Sequence, residues 1–240
     1  MAQHISRKEL KKDEVRETLA HGAEAVLSHQ QLTLYLLIAA VIIAAGFFGW
    51  KHYSERQSAS AQVALDGAMK VFQAQTGNPG TPAMPGELTF PDDKTKFTQA
   101  AEKFEDVAKK FPRTHSGELA SYYAGLSLEK LNKDSDAKQW LQRAAGSSDE
   151  SFASLARFEL AQLEVRNGQG DEAVKIYQDM MAKPTVLVPK PVVMLALAEY
   201  YVQKNPSEAA KLYAQIKSEY PDTPIAQQAD QELALLPGKT

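Results

Sequence analysis

The sequence predicts an all-α protein, a single transmembrane helix followed by a solenoid of helical repeats. Three observations predict it. Leu32 to Trp50 is a run of nineteen residues without a charge. At about 1.5 Å of rise per residue it spans about 28 Å, close to the roughly 30 Å hydrocarbon core of a bilayer. Beyond it, Ala100, Ala137, Ala173 and Ala209 recur at steps of 37, 36 and 36 residues, each followed by large apolar residues at helical spacing. A constant period of this length marks stacked helical units. Helix caps fall where such units must begin: Ser147-Ser148-Asp149-Glu150 has the form of a capping box opening a helix near Asp149. Asn205-Pro206-Ser207-Glu208 offers an Asn cap, a Pro in the first turn and a Glu at the third position.

Composition narrows the function classes. The chain has 240 residues with 27 basic and 30 acidic side chains, a net charge of -3, and no cysteine. Disulfides, a lipid-modified cysteine and thiolate metal sites are therefore excluded. The first 31 residues hold five basic side chains (Arg7, Lys8, Lys11, Lys12, Arg16) and five acidic ones, leaving 22 basic and 25 acidic beyond the apolar run. A mildly acidic domain without a basic stretch lacks the electrostatic footprint of a nucleic-acid binder.

In chain order, Ser6-Arg7-Lys8-Glu9 opens an expected amphipathic helix carrying Val15, Leu19, Ala23 and Val26. The anchor, residues 32–53, ends in Trp50, Lys51, His52 and Tyr53, the aromatic and basic residues favoured at a headgroup interface. A cleaved secretory signal would have a shorter apolar core and fewer preceding residues. Five Lys/Arg precede the span, against Lys51, Arg56 and Lys70 in the twenty residues after it, so the N-terminus is expected inside. Glu55 to Gln75 should continue as a helix with Val63, Ala64, Ala68, Val71 and Phe72 on one face. Residues 77–93 hold four prolines and three glycines and read as an exposed irregular loop. Within the repeats Gly168 behind Asn167 reads as a helix stop, and after them Thr223-Pro224 begins a capping helix over 224–236.

The second helix of each unit has a small residue, a large apolar one and a terminal proline: Ala100, Phe104 and Pro112 in one copy, Ala209, Tyr213 and Pro221 in another. Ala137 with Leu141, and Ala173 with Tyr177, form the intermediate copies. Gly125 and Ala161 lie twelve residues before their marker alanines and Ala198 eleven, each a small residue in a first helix. This pattern resembles the tetratricopeptide repeat, whose small residues let paired helices approach. The period is longer than the family's usual 34 residues and its Trp is missing.

A search for chemistry returns little. No metalloprotease, nucleophile-elbow, phosphate-loop or dinucleotide motif appears, and His115 is the one histidine in the repeat region, so no catalytic residue, cofactor or metal is expected. The acidic pairs Asp92-Asp93 and Asp149-Glu150 suit helix capping better than acid/base work. The inner surface of the array, built from the first helices, is the expected partner-binding groove. Counting from the small residues, it is lined by Leu119, Tyr122, Leu126 and Glu129, by Leu155, Phe158, Gln162 and Val165, and by Val192, Leu195, Glu199 and Val202. The lining reads as aromatic and apolar, and the same side chains also suit packing against neighbouring helices.

A short N-terminal segment (1–31), one span ending in Gly-x-x-Gly-Trp-Lys-His-Tyr (Gly46 to Tyr53), an Ala/Gln-rich helix and then the repeats (54–240) together resemble the ancillary subunit of the bacterial SecYEG translocon. The resemblance implies an inner-membrane protein with cytoplasmic residues 1–31 and periplasmic repeats. Its implied partners are translocon components and periplasmic chaperones or client polypeptides, and its role is that of a protein-protein interaction scaffold. The alternative is a structural scaffold of a cell-envelope or cell-division complex without translocon association, with Ala40-x3-Ala44 and Ala45-x3-Gly49 as spacings for helix pairing in lipid.

Overall fold

The computed structural model describes residues 30–77 and 88–236, and among them it forms nine helices and one two-stranded ladder. The chain divides into two compact units, Met1–Arg56 and Gln57–Thr240. Of the first, the described part is the leading stretch of helix α1 (Gln30–Gln73). Every side chain from Leu34 to Trp50 is exposed. A helix that is apolar all round finds its solvent in a protein interior or in lipid. It is long and apolar enough to cross a membrane. The amphipathic helix expected before it lies outside the described residues.

Within the second unit, the end of α1 buries Ala61, Leu65, Ala68 and Val71, which follow one another at helical spacing. Val63, expected on this face, is 73% exposed. Two residues from Ala61 at about 100° each, it points to the opposite side. The helix ends at Gln73. Of the irregular loop expected over 77–93, residues 78–87 lie outside the described residues, and the far end is a short strand rather than irregular. Strand β1 (Gln75–Thr76) pairs in parallel with β2 (Thr89–Phe90), Gln75 opposite Thr89 and Thr76 opposite Phe90. The Gly77 N–H donates to the Phe90 carbonyl at 3.1 Å. Phe90 is buried among Leu65, Val71 and Phe104, so an aromatic side chain anchors this end of a segment whose prolines and glycines suggested exposure.

Eight further helices follow: α2 (Asp93–Lys110), α3 (His115–Lys130), α4 (Asp134–Ala145), α5 (Glu150–Arg166), α6 (Gly170–Ala182), α7 (Lys190–Lys204), α8 (Pro206–Glu219) and α9 (Pro224–Leu235). Each packs on the next in sequence, and α9 also touches α7. The buried clusters are correspondingly serial, the first drawn from α1, β2, α2 and α3, and the last from α7, α8 and α9. Such a core is a sum of neighbour contacts. Ala100, Ala137, Ala173 and Ala209 are all fully buried beside Phe104, Leu141, Tyr177 and Tyr213. At Gly125 an added Cβ would stand 2.7 Å from Leu141 Cγ, so α3 and α4 touch where the small residue sits. This is the paired-helix solenoid that the spacing predicts.

The ends of the helices show which cap signals act. Asp92, Thr114, Asp149 and Thr223 accept from the backbone N–H groups of Thr95, Gly117, Phe152 and Ala226. The N-cap of α5 is thus Asp149. Ser147, read as the first residue of a capping box, instead donates to Glu118 at 2.6 Å and accepts from the Asp149 N–H at 3.1 Å. The Asn205 side chain accepts from the Ser207 hydroxyl at 3.0 Å and caps no backbone N–H. Gly168 does stop α5. At φ 75° it lets Gln169 N–H reach the Glu164 carbonyl and its own N–H the Val165 carbonyl, closing a Schellman turn. Asn132, at φ 56°, closes α3 by the same pair of bonds.

Candidate functional site

The residues expected to line the inner surface sit on the first helices α3, α5 and α7, and every expected apolar or amide residue there is half-buried. Leu119, Tyr122 and Leu155 meet around Phe152 in one cluster. Leu155, Phe158, Val165 and Val192 pack together in the next, and Leu195 and Val202 in the last. Leu126 and Gln162 join none of them. The two aromatic candidates are held edge-on by neighbours: the Tyr122 ring lies 5.9 Å from Phe152 and 5.4 Å from Tyr123, and the Phe158 ring 6.1 Å from Tyr177. Tyr122 thus packs across two repeats, and Phe158 between the two helices of one.

The surroundings of these residues are less apolar than the spacing implies. Arg166 Nη2 donates to Glu129 Oε2 at 2.6 Å across α5 and α3, while Glu129 Oε1 is buried without a hydrogen-bond partner. Glu159, the residue after Phe158, joins this group: it accepts from the Tyr122 hydroxyl and faces Arg166 and Lys130. Burial pushes the Glu159 carboxyl above the ordinary carboxylate value, opposed by Arg166 and the Tyr122 bond. Burial does the same to Glu129, with Arg166 pulling down and Glu159 pushing up. Tyr122 is raised by burial and then by Glu159. A charge taken from water without full compensation is disfavoured, and each shift records that.

The pattern continues toward the C-terminus with fewer cations. The charges of Glu199 and Glu159 act on the Tyr177 hydroxyl, and those of Glu232 and Glu199 on Tyr213. Burial, then Glu232, raises Glu199. Burial, then Glu232 and Glu199, pushes the Tyr213 hydroxyl up to about 12. Carboxylates and phenols thus alternate from α5 to α9. A cleft of about 810 Å³ opens at the edge of this series, between the end of α5, the start of α6 and the end of α7, with Val165, Asp171, Glu199 and Lys204 in its walls. Gly170 belongs to the same corner, where a Cβ would stand 2.0 Å from the Tyr200 hydroxyl.

Sequence reasoning counted Glu129 and Glu199 in the lining but missed Glu159, Arg166, Tyr213 and Glu232. The signal available was the succession Tyr177, Tyr213 one repeat apart, each a phenol rather than a plain ring. Among the described residues no three His, Cys, Asp or Glu side chains gather as a metal site. Asp92 caps α2, and the hydrogen bond from Thr95 holds its carboxyl below the usual value.

This geometry, serially packed helices with small residues at their crossings, has its counterpart in known families. The sequence profile of the tetratricopeptide repeat-like domain matches residues 29–184. The chain belongs to this tetratricopeptide repeat-like family. A second profile, the tetratricopeptide repeat itself, matches residues 193–223, which cover most of α7 and all of α8. No curated protein and no solved structure matches the chain. Tetratricopeptide repeats act in general as surfaces for protein-protein interaction rather than as catalysts.

Proposed function

We propose that the protein is a membrane-anchored interaction scaffold whose tetratricopeptide array holds polypeptide partners on its inner face. Its anchor stands in a bacterial inner membrane beside the Sec translocon, with residues 1–31 in the cytoplasm and the repeats in the periplasm, where they meet chaperones and newly exported chains. The observation that carries the reading is α1 itself: one unbroken helix is apolar and exposed from Leu34 to Trp50 and supplies buried core residues from Ala61 to Val71. Tethering and binding thus reside in one continuous chain. The charge tally and the resemblance of the anchor-exit residues support the orientation and the translocon.

Cross-linking and affinity capture from solubilised membranes test this. Translocon subunits and periplasmic chaperones should co-purify with the intact protein, and protease added to spheroplasts should degrade the repeats while sparing residues 1–30. Tyr122→Ala with Phe158→Ala should weaken capture of the chaperone or client at least roughly thirtyfold, the equivalent of about 2 kcal/mol for a hot-spot pair. The helical spectrum should persist. Normal capture by this double variant removes the groove, and protected repeats reverse the orientation. One observation favours a second reading: Gly46 and Gly49 have open space around them, so the span has a bare small-residue surface for self-association. A span that dimerises, with no translocon subunit recovered, would make the protein a structural envelope scaffold.

A further inference from the structure

The turns that lead from a second helix into the next first helix have a common length, with one departure. Residues 111–114, 146–149 and 220–223 make the turn in four, whereas 183–189, between α6 and α7, takes seven. The longer turn is apolar and directed outward. Val186 is 89% exposed and its neighbour Leu187 52%, while Val188 is buried in the cluster around Tyr177. The segment is nevertheless held in shape. The Thr185 hydroxyl accepts from the Val188 N–H at 3.1 Å and bonds to the Ser154 hydroxyl at 2.6 Å, and Pro184 and Pro189 fix φ at either end.

Charge and position narrow what can cover this tip. No acid stands between Asp179 and Glu199, and two lysines, Lys183 and Lys190, flank the apolar pair. Lys190 reaches Glu219 at 3.2 Å, whereas Lys183 is exposed and its charge acts on Glu150. The starts of the first helices follow one another along one edge of the array. The Ser116 hydroxyl donates to the Gln62 side chain of α1 at 3.1 Å, the His115 ring lies 6.0 Å from Phe152, and Ser154 holds Thr185. The loop therefore stands on the edge that α1 enters. A stable protein interface withdraws about 1,200–2,000 Å² from water, which two side chains cannot supply. Lipid sets no such minimum for a tethered chain, because the tether makes the second contact intramolecular.

We infer that residues 183–189 form a lipid-contacting tip: Val186 and Leu187 enter the headgroup region of the bilayer that holds α1, and Lys183 meets the phosphates of anionic lipids. This rests on α1 being the anchor and is independent of the groove and of any translocon. Withdrawing one Val or Leu from water favours the inserted tip by at least about tenfold, and a lysine beside an anionic surface favours it by about fivefold. Such a second contact restrains the repeats against the membrane surface.

The full chain contains no cysteine, so one Cys introduced at a chosen site carries a single small fluorophore. The protein is reconstituted into vesicles of phosphatidylcholine and phosphatidylglycerol with nitroxide-labelled acyl chains as quencher. The label at Leu187→Cys should be quenched, and the label at Gln203→Cys, toward the other end of α7, should not. Ile43→Cys, within the span, tests the anchor by itself. With the label at Leu187→Cys, Val186→Ser should lower the ratio of inserted to free tip at least about tenfold, and Lys183→Gln about fivefold, the latter only when phosphatidylglycerol is present. Quenching at position 43 with none at 187 overturns the inference and leaves the anchor standing. No quenching at 43 removes the anchor and the inference with it. Undiminished quenching in Val186→Ser would trace insertion to the fluorophore and overturn the tip. A label at 187 that leaves water only when soluble cell extract is added, unquenched by the lipid, assigns the tip to a protein partner and overturns it likewise.

Discussion

Replacing Gly125 by Ala sets two effects against each other. In an isolated helix the change is favourable by about 0.8–1.0 kcal/mol, because glycine gives up more backbone freedom than alanine. Here the new Cβ would stand 2.7 Å from Leu141 Cγ and 2.9 Å from its Cδ2, separations that real side chains do not adopt. Leu141 is fully buried and cannot swing into solvent, so α3 and α4 must part or Leu141 must leave its rotamer. Overpacking of this kind costs about 1–3 kcal/mol, so the net result is a loss of about 0–2 kcal/mol. Gly67 gives the internal reference, since it is exposed in α1 with nothing within 4 Å, and Gly67→Ala should keep the whole gain. The two variants should therefore differ by about 1–3 kcal/mol, a separation of roughly 2–12 °C in Tm for a domain of this size. Thermal unfolding of the full chain in detergent, followed by far-ultraviolet circular dichroism, measures it. Gly125→Ala as stabilising as Gly67→Ala would mean that α3 and α4 are not in contact there.

Glu159→Gln should stabilise the protein at pH 7 and leave it unchanged at pH 4. The folded carboxyl titrates above its ordinary 4.5, so stability falls as pH rises from that ordinary value through the raised one, a penalty that glutamine does not carry. Urea titrations at the two pH values check this, and an equal gain at both would refute it. Arg166→Ala should cost about 1–3 kcal/mol, because it strands the half-buried Glu129 and Glu159 carboxylates. Adding Glu129→Gln should recover part of that loss. Gly168→Ala should cost about 1–2 kcal/mol, since its φ of 75° is a conformation that alanine enters only under strain. Hydrogen exchange should show the loss concentrated at the junction of α5 and α6.

The repeat was legible because its information is local and redundant. A small residue opposite a large one, recurring at steps of 36 or 37 residues, states where two helices cross, and Gly125 with Leu141 shows the code is steric. Gly168 was legible for a similar reason, as only a residue without a Cβ enters that turn freely. Asn132 performs the same task without a glycine to announce it. The ladder of Gln75–Thr76 with Thr89–Phe90 has no periodicity to detect, being two residues wide. The carboxylate and phenol series was hidden for a third reason. Glu159, Glu199 and Glu232 do not share one spacing, and only the stacking of α5, α7 and α9 makes them neighbours of Tyr177 and Tyr213.

The short ladder between the first two helices of the array has a practical corollary. By pinning Thr76 beside Phe90, it makes the distance between those two ends independent of what is strung between them. The entropy of closing such a loop grows only logarithmically, at about 0.6 kcal/mol for each doubling of its length. Extra sequence placed between Gly77 and Leu88 is thus borne by a stitch that the neighbouring helices do not feel. That position is the natural port for a fluorophore, an epitope or a photo-cross-linker, through which the protein can be followed in a living cell with the helices of the array untouched.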